Sequence, residues 1–345
     1  MARRSHEHIV TCAQGFSFAL LQQMRHALIT GGSGFIGSHL VDRLLAEGAW
    51  RVTVVDNYDP FYAREVKEAN LAQHTGNDRL RVIEADILDE DLDDRLGAGP
   101  IDVIIHIAAK AGVRPSIKDP IAYHRVNVTG TLKLLELARY RRVPHFVLAS
   151  SSSVYGVDPN VPWKEQELGL KPISPYAATK LAAEQFGQVY AHLHGMRVTA
   201  LRFFTVYGPR QRPDLAIHQF FRKIKAGVPI QQFGDGTTRR DYTYMDDIVS
   251  GVRAAIDRTK GGRFDIYNLG NSDTVMLREL IAAVEAELGM KAIIDLQPEQ
   301  PGDVPQTFAD TSKSLRDLGF APSTPLAIGL KKFHEWMRTV EVVKQ

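Results

Sequence analysis

Residues 26–48 have the sequence HALITGGSGFIGSHLVDRLLAEG, in which a short apolar strand pattern leads into a glycine-rich turn and then a helix pattern. The apolar residues of 35–48 recur at helical spacing, and Gly48 is a suitable stop. Glycines in the turn let the backbone bend sharply and let a phosphate approach the free N–H groups of the helix N-terminus. The order strand, glycine turn, helix therefore predicts the dinucleotide-binding end of a parallel α/β sheet. The glycines concerned are Gly31, Gly34 and Gly37.

The same alternation of strand and helix patterns continues along the chain. Because parallel strands need a crossover between them, which is usually a helix, this alternation predicts a parallel sheet. The strands are apolar throughout their centres, which indicates a sheet covered on both faces. The predicted class is α/β, with a doubly wound parallel (Rossmann) sheet. Strands are expected at 51–56, 80–86, 101–109, 145–150 and 197–204, and helices at about 61–73, 118–140 and 176–194.

The pattern divides the chain into three parts. Residues 24–204 are expected to form the Rossmann domain. After about residue 205 the regularity gives way to shorter units rich in Gly and Pro, which predicts a smaller C-terminal substrate-binding lobe over 205–345, with some segments returning to the Rossmann domain. Residues 1–23 are expected to be a poorly ordered N-terminal extension.

Composition narrows the possible functions. Of 345 residues, 44% are hydrophobic and 24% are charged, as is usual for a globular protein, and this excludes a disordered chain. No apolar run reaches the ~20 residues that span a bilayer, so no membrane partner is expected. A net charge of +2 gives no reason to expect nucleic acid. The single cysteine, Cys12, excludes an internal disulfide and a cysteine metal site, so we expect a cytoplasmic protein without metal.

Two acids follow predicted strands near the glycine turn. Asp56 ends the second strand, 19 residues after Gly37. An acid there accepts hydrogen bonds from the adenosine ribose and repels a 2′-phosphate, which predicts NAD rather than NADP. Asp86 follows the third strand, where it either bonds the adenine amino group or caps a helix.

The candidate catalytic residues are Tyr176 and Lys180, four positions apart in SPYAATKLAAEQF. On a helix this spacing puts both on one face. A cation beside a phenol favours the phenolate and lowers its pKa from ~10, so that tyrosine can act as a general acid or base. The fifth strand ends in SSSSVYG (150–156), which places four hydroxyls at the sheet edge where ligands bind in such folds.

These motifs together resemble the extended short-chain dehydrogenase/reductase family. The resemblance rests on GGSGFIG, Asp56, HIAAKAGV (106–113), Asn127 in RVNVTGT, SSSSVYG and YAATK, and it covers nearly everything after residue 24. Within that family the chain is similar to nucleotide-sugar 4-epimerases. The similarity is greatest to the UDP-glucuronate 4-epimerase branch in four segments, AGVRPS, RFFTVYGPRQRPD, RRDYTYMDDIV and QPGDVP. Two single positions also resemble that branch: Thr205, where most relatives have Asn, and Gln300, near which UDP-galactose 4-epimerases carry an Arg.

The resemblance implies a reaction with tightly bound NAD that is regenerated in each turnover. Tyr176 takes the proton of the sugar 4-hydroxyl while a hydride leaves carbon 4, Lys180 holds the phenolate and the nicotinamide ribose, and Ser151 or Ser153 bonds the reacting oxygen. The 4-keto sugar then rotates and is reduced on its other face. The implied cofactor-binding residues are Gly31, Gly34, Phe35, Ile36, Gly37, Asp56, Asn57, Asp86, Ile87, Ala108, Ala109, Lys110, Asn127, Ser150, Tyr176, Lys180 and Phe203.

The chemistry of a uronate substrate points to one further residue. Oxidation of glucuronate at carbon 4 gives a β-keto acid, which loses CO2 unless its carboxylate is held. Arg212 is the candidate clamp, because a guanidinium holds a carboxylate with two parallel hydrogen bonds. Decarboxylases and 4,6-dehydratases of the family carry an acid near Ser152 or Ser153, and this chain has only hydroxyls there, which favours epimerisation.

The remaining implied substrate contacts lie in other segments. Arg114 is a candidate for the carboxylate or a phosphate, Arg240 for the diphosphate with Arg239 as a near substitute, and Phe233 and Asp303 border the nucleotide. The full implied substrate set is Arg114, Ser151, Ser152, Ser153, Tyr176, Thr205, Arg212, Phe233, Arg240 and Asp303.

Several alternatives remain open at this stage. The chain is also compatible with a UDP-glucose/UDP-galactose 4-epimerase, a UDP-glucuronate decarboxylase or dehydratase, and a non-catalytic NAD-binding protein. The helices at 118–140 and 176–194 are amphipathic, and in relatives such a pair forms a four-helix bundle across a two-fold axis. We therefore expect a homodimer.

Overall fold

The computed structural model describes residues 24–299 and 302–342, so the N-terminal extension, Cys12 and Gln300 lie outside the described residues. The strands are β1 Arg25–Thr30, β2 Trp50–Asp56, β3 Leu80–Glu84, β4 Val103–His106, β5 His145–Ser151, β6 Arg197–Phe203, β7 Thr205–Tyr207, β8 Ile230–Phe233, β9 Arg239–Arg240, β10 Tyr242–Tyr244, β11 Phe264–Leu269, β12 Val275–Met276 and β13 Ile294–Gln297. The α-helices are α1 Phe35–Ala46, α2 Arg64–Leu71, α3 Leu92–Leu96, α4 Val113–Lys118, α5 Pro120–His124, α6 Gly130–Tyr140, α7 Pro175–His194, α8 Ala216–Lys225, α9 Met245–Ile256, α10 Leu277–Leu288, α11 Ser312–Leu318 and α12 Leu326–Val342.

Seven of the strands form one parallel sheet in the order β3-β2-β1-β4-β5-β6-β11. The strand order reverses between β1 and β4, and the crevice at such a point is where ligands bind in open α/β sheets. Every residue of β4 and β5 is buried, as their apolar patterns predict. This sheet confirms the predicted doubly wound α/β class.

Helices cover both faces of the sheet. On one face α1 and α9 pack against β1 and β2 in a core that includes Leu40, Trp50 and Ile248. On the other face α3, α6 and α7 pack against the same sheet around Leu134, Phe146 and related residues. Burial of these apolar side chains, worth about 1.5–3 kcal/mol each for the larger ones, fixes the strand ends that carry the site.

The C-terminal part packs around a separate aromatic core. This core joins α8, α10 and α12 through Tyr207, Phe221 and Phe333. The short strand pairs β7–β10, β8–β13 and β9–β12 also lie within this part of the chain. The segments that carry α9 and β11 return to the large sheet. Over the described ranges, none of the helices combines the length and the apolar character needed to cross a membrane.

The region predicted as one helix over 118–140 is divided, so that prediction is wrong in detail. It consists of α5, a π-helical turn at Arg125–Thr129, and α6, and the separate helix α4 precedes it. Pro120 starts α5 because its ring cannot continue the preceding helix, and the Asp119 carboxylate caps the new one by accepting from Ala122 N. The third and fourth strands are also shorter than predicted, at 80–84 and 103–106.

Candidate active site

A cavity of about 690 Å3 lies at the carboxyl edge of the sheet, between the strand ends and the C-terminal part. Most of the predicted site residues line it, which brings the glycine turn, the serines and the Tyr/Lys pair together. The predicted residues that line the cavity are Gly31, Gly34, Phe35, Ile36, Asp56, Asn57, Asp86, Ile87, Ala108, Ala109, Lys110, Ser150, Ser151, Ser152, Ser153, Tyr176, Lys180, Phe203, Thr205 and Arg212. Gly37, Arg114, Asn127, Phe233, Arg240 and Asp303 are not among the lining residues.

The glycine turn leaves a cradle for an anion at the start of α1. Gly31 has φ +70°, and a Cβ there would lie 2.8 Å from the Ala108 backbone N. A Cβ on Gly37 would collide with the Gly31 carbonyl oxygen, so this glycine is needed for close packing although it does not line the cavity. No side chain among the described residues caps α1 at Gly34, and its first turn carries no acid. These features fit the pyrophosphate of a dinucleotide.

The two predicted acids flank this turn. Asp56 is buried and accepts from Ser33 N at 3.1 Å and from Tyr58 N at 2.9 Å. Asp86 accepts from Leu88 N at 2.9 Å, which is a local turn bond, and from Asn57 Nδ2 at 2.8 Å. Both carboxylates line the cavity, so their remaining lone pairs can accept from a bound nucleoside.

Asn127 supports the site from behind instead of lining it. The side chain is buried in the π-helical turn, where it accepts from Lys110 N at 2.8 Å and donates to Lys110 O at 2.9 Å. It also donates to Thr179 Oγ1 on α7 at 3.1 Å. These bonds tie the loop after β4 to the helix that carries the Tyr/Lys pair.

Helix α7 holds Tyr176 and Lys180 over the end of β5. It begins at Ser174, whose hydroxyl accepts from Ala177 N, with Pro175 at the first helical position. Lys180 Nζ lies 5.9 Å from the centroid of the Tyr176 ring and donates to Ala149 O at 2.8 Å. The Tyr176 ring packs edge-on against Tyr123, with centroids 6.3 Å apart.

Burial dominates the titration of this pair. It lowers the pKa of Lys180 to about 8, although the negative charge of Glu184 acts in the opposite direction. Burial also raises the pKa of Tyr176, against the lowering effects of a hydrogen bond with Ser151 and of the positive charge of Arg212. The expectation that Lys180 brings the pKa of the Tyr176 phenol below its usual value is therefore wrong. Burial and the surrounding side chains together leave this pKa above that value.

The serines do not all point toward the same partners. Ser151 Oγ donates to Ser153 Oγ at 3.1 Å and accepts from Ser153 N at 3.2 Å, which holds both hydroxyls at the cavity wall. Ser150 Oγ instead donates to the buried Glu184 carboxylate at 2.5 Å. Of the four serines, Ser151 is the one whose hydroxyl influences the pKa of the Tyr176 phenol, which it lowers.

A buried ion pair beneath the serines was not predicted from the sequence. Arg202 at the end of β6 donates to Glu184 from Nε at 2.9 Å and from Nη2 at 2.7 Å. Glu184 lies one helical turn after Lys180 on α7, and its side chain is completely buried. The only sequence signal was the charge at the i, i+4 spacing from Lys180, which is common on solvated helix faces.

The candidate clamp Arg212 lines the cavity, as does Thr205. Its guanidinium donates to Asp214 from Nε at 3.0 Å and from Nη2 at 2.9 Å, and its Cζ lies 5.3 Å from the centroid of the Phe61 ring. Burial opposes the positive charge, but the hydrogen bond with Asp214 raises the pKa of Arg212 above its usual value.

The predicted nucleotide residues form a second cluster. Arg114 Nη2 pairs with Asp303 Oδ2 at 2.7 Å, and its Cζ lies 4.4 Å from the centroid of the Phe233 ring. Burial lowers the pKa of Arg240, with Asp303 and Arg114 close enough to influence it in opposite directions. Arg239, the near substitute for Arg240, instead bonds Thr274 through its guanidinium.

The sequence reasoning missed the loop that follows β2. Asp59, Phe61 and Tyr62 of this loop line the cavity, as do Lys67 on α2 and Tyr123 on α5. Lys67 Nζ donates to Asp59 O at 2.9 Å, and Lys110 Nζ pairs with the Asp59 carboxylate at 3.1 Å. The signal available was position, because DPFY (59–62) begins three residues after Asp56, the last residue of β2, and so lies at the ligand-binding edge.

This combination of glycine turn, strand-end acid and Tyr/Lys pair on a parallel sheet defines a nucleotide-dependent oxidoreductase-type site. Residues 27–270 match the model of the NAD dependent epimerase/dehydratase family, and the chain belongs to that family.

Individual relatives narrow the comparison. A UDP-glucuronate 4-epimerase of Arabidopsis thaliana is 39% identical over 328 residues, covering 90% of this chain and 74% of the relative. A probable UDP-glucuronate 4-epimerase of Rhizobium meliloti is 37% identical, covering 90% and 96%. The crystal structure of the Bacillus cereus UDP-glucuronic acid 4-epimerase with UDP-glucuronic acid and NAD superposes with a TM-score of 0.86 at 35% identity, covering 91% of this chain and 99% of that one.

Proposed function

We propose that this protein interconverts UDP-glucuronate and UDP-galacturonate, with tightly bound NAD, by oxidation at carbon 4, rotation of the keto intermediate and reduction on the other face. One observation supports this most strongly. Tyr176, Lys180 and Ser151 share a cavity with the glycine turn, and the guanidinium of Arg212 lies at the same cavity. The similarity to UDP-glucuronate 4-epimerases over 90% of the chain supports the same assignment.

The cofactor site fits a dinucleotide in its donor groups and its shape. The N-terminus of α1 would hold the pyrophosphate, Asp56 the adenosine ribose, and Asp86 the adenine edge. Lys180 would hold the nicotinamide ribose. Bound there, NAD supplies the acceptor that takes the hydride from carbon 4 and returns it. Because the acid at Asp56 disfavours a 2′-phosphate, we assign NAD and not NADP.

Tyr176 acts as the proton acceptor and donor at the 4-hydroxyl. Its high pKa in the buried site means that the phenolate needs nearby positive charge and hydrogen bonds to form. Ser153 N donates to Ser151 Oγ and keeps this hydroxyl at the cavity wall, and the Ser151 hydroxyl would have to turn from Ser153 Oγ to donate to the phenolate. Lys180 contributes its positive charge, with its Nζ atom 5.9 Å from the centroid of the Tyr176 ring.

Retention of the carboxylate distinguishes the epimerase from a decarboxylase. Arg212 would hold the uronate carboxylate, and Thr205 lines the same cavity. The serine strip of Ser152 and its neighbours contains no acid that would move a proton at carbon 5. We assign Arg240 and Arg114 to the diphosphate, and Phe233 and Asp303 to the border of the nucleotide.

We assign residues 24–204 to NAD binding and 205–345 mainly to the nucleotide sugar, with α9 and β11 belonging to the sheet domain. We also propose a homodimer in the cytoplasm. Support for the dimer comes from α5, α6 and α7, which expose apolar side chains: Ile121 is 77%, Tyr140 75% and Leu193 66% exposed. Light scattering on the purified protein should give twice the monomer mass, and a monomer mass at micromolar concentration would reject the dimer.

The experiment that tests the function is incubation of purified protein with UDP-glucuronate, without added NAD, followed by proton NMR. We expect UDP-galacturonate without CO2. A UDP-pentose with CO2 would establish a decarboxylase, and turnover of UDP-glucose alone would establish a hexose epimerase. Arg212→Ala should lower activity on UDP-glucuronate, while Tyr176→Phe should abolish it.

A further inference from the structure

Arg212 does not project into the cavity as an isolated cation. Asp214, two residues later in the same loop, accepts from its Nε and Nη2 atoms at 3.0 and 2.9 Å. This is a bidentate pair on the side edge of the guanidinium. Asp214 is not among the cavity-lining residues, whereas Arg212 is. The carboxylate therefore holds the guanidinium from outside the cavity.

The remaining donors of Arg212 suit a second carboxylate. A guanidinium has five N–H groups, one on Nε and two on each Nη. Asp214 uses one on Nε and one on Nη2, so one on Nη2 and both on Nη1 remain. The Nη1 and Nη2 pair forms the end edge of the fork, which can bind another carboxylate bidentately. Asp214 thus occupies one edge and leaves the other available.

Two further contacts restrict where this guanidinium can lie. The Phe61 ring, from the loop after β2, lies 5.3 Å from Arg212 Cζ, within the range of a cation–π contact. The loop that carries Arg212 is anchored to α1: His39 Nε2 donates to Pro209 O at 3.0 Å, and Arg210, at φ +62°, pairs with Asp42 at 2.9 Å. Arg212 is therefore fixed at its backbone, at its ring partner and at one edge.

We propose that Asp214 is a positioning residue that sets selectivity for a uronate: it holds Arg212 by the side edge so that the end edge meets the carboxylate at carbon 5 of the sugar. This inference rests on the proposed function. It predicts that Asp214, which does not line the cavity, controls two properties of the reaction. One is the preference for UDP-glucuronate over a neutral UDP-hexose, and the other is the retention of CO2.

The second property follows from the chemistry of the keto intermediate. Loss of CO2 breaks the bond between carbon 5 and the carboxyl carbon, and the electron pair moves into the enolate of the carbon 4 ketone. A proton from solvent then adds at carbon 5. This bond breaks readily only when it lies perpendicular to the plane of the ketone. A guanidinium held at one edge keeps the carboxylate out of that orientation, and a loosened one does not.

The test compares Asp214→Ala and Asp214→Asn with a matched control. Asp257→Ala removes another aspartate that pairs with arginines, at the opposite end of the sheet and of similar exposure, 44% against 37% for Asp214. We expect Asp214→Ala to lower kcat/KM for UDP-glucuronate by about 10- to 100-fold, the usual effect of a misplaced binding group. Asp214→Asn keeps one acceptor oxygen, so its kcat/KM for UDP-glucuronate should fall less. The control should match the wild type.

Two readouts separate positioning from a structural role. Binding of UDP-glucose, the neutral probe, should be unchanged in calorimetry. In Asp214→Ala the fraction of turnovers that lose CO2 and give UDP-pentose, after hydride returns to carbon 4, should rise. Phe61→Leu should likewise leave UDP-glucose binding unchanged and raise the fraction of turnovers that lose CO2, and it serves as a second variant should Asp214→Ala fail to fold. Unchanged or higher kcat/KM in both Asp214 variants, or an equal loss of UDP-glucose binding, would overturn the proposal. A wild type that does not epimerise UDP-glucuronate would instead overturn the proposed function.

Discussion

Glu184 and Arg202 form an ion pair directly beneath the serine strip, and Glu184→Gln tests what this pair contributes. The two side chains are 0% and 2% exposed. Glu184 accepts two hydrogen bonds from Arg202, at 2.9 and 2.7 Å, and a third from Ser150. Glutamine keeps the shape of the side chain, removes the charge and replaces one acceptor oxygen with a donor.

The expected loss is large because the partner charge stays buried. Removing one member of a buried pair costs about 3–5 kcal/mol, since the remaining ion has lost both water and its counter-ion. Arg202 Nη1 already has no hydrogen-bond partner among residues 24–299 and 302–342, so nearby groups offer little compensation. Replacing both residues, by Glu184→Leu with Arg202→Met, removes both charges, and we expect this double variant to recover most of the loss.

The same substitution should alter the pH dependence of activity. Burial lowers the pKa of Lys180 and the charge of Glu184 raises it, and the two effects together leave it at about 8. Without that charge the pKa of Lys180 falls further, and the ammonium loses its proton at a lower pH. We therefore expect the alkaline limb of the kcat profile of Glu184→Gln to move toward neutral pH. The double variant also removes the positive charge of Arg202, so its shift should be smaller than that of Glu184→Gln.

The assay is urea unfolding at pH 7.5, followed by tryptophan fluorescence, on the wild type, the single variant and the double variant. The reasoning predicts that the wild type and the double variant unfold at similar urea concentrations and that Glu184→Gln unfolds well below both. A loss under about 1 kcal/mol in Glu184→Gln would refute it. A double variant that is less stable than the single one would refute it as well.

Three further predictions follow from the site. Gly37→Ala places a Cβ against the Gly31 carbonyl oxygen, so bound NAD, measured by absorbance after denaturation, should be lost, and stability should fall by about 1–3 kcal/mol; retained NAD would contradict the turn geometry. Asp56→Ala should improve the affinity for NADP relative to NAD by roughly tenfold in fluorescence titration, because a repulsive charge is removed, and an unchanged ratio would exclude Asp56 as the selective group. The pKa of Lys180 is about 8 in the folded protein and 10.5 in the unfolded chain, so the unfolded chain binds more protons between these pH values. The free energy of unfolding should therefore rise by up to about 3 kcal/mol from this group as the pH increases from 8 to 10.5. In Lys180→Met the free energy of unfolding, measured by urea titration at pH 8 and 10.5, should rise less than in the wild type. An equal rise in both proteins would contradict the burial of the Lys180 charge.

The sheet could be predicted because burial on both faces leaves a strong pattern. The strands that end in Thr30, Asp56 and Ser151 were located to within a residue or so, since each is a continuous apolar run. The helix expected over 118–140 failed for local reasons. Pro120 ends one helix and starts another, and the buried Asn127 side chain lies in a π-helical turn that apolar periodicity does not reveal.

The site was predictable where a motif has a fixed spacing and not where partners lie far apart in sequence. Tyr176 and Lys180 share a helix face, so their proximity follows from helix geometry alone. The contact of Phe61 with Arg212 joins two loops that are 151 residues apart, and it depends on how the C-terminal part packs against the sheet. The direction of the pKa shift of Tyr176 failed for a related reason, because burial cannot be read from spacing.

The arrangement of charges on α7 explains why a buried lysine is tolerated behind the phenol. Tyr176, Lys180 and Glu184 recur every four residues, so they form one stripe that runs from the cavity into the core. Together with Arg202, the stripe holds two buried positive charges and one negative charge, which sum to +1. An isolated buried charge is costly, and a negative charge formed nearby relieves that cost. In the proposed reaction a phenolate on Tyr176 would supply such a charge, so part of the cost of burying Lys180 would be offset when Tyr176 gives up its proton.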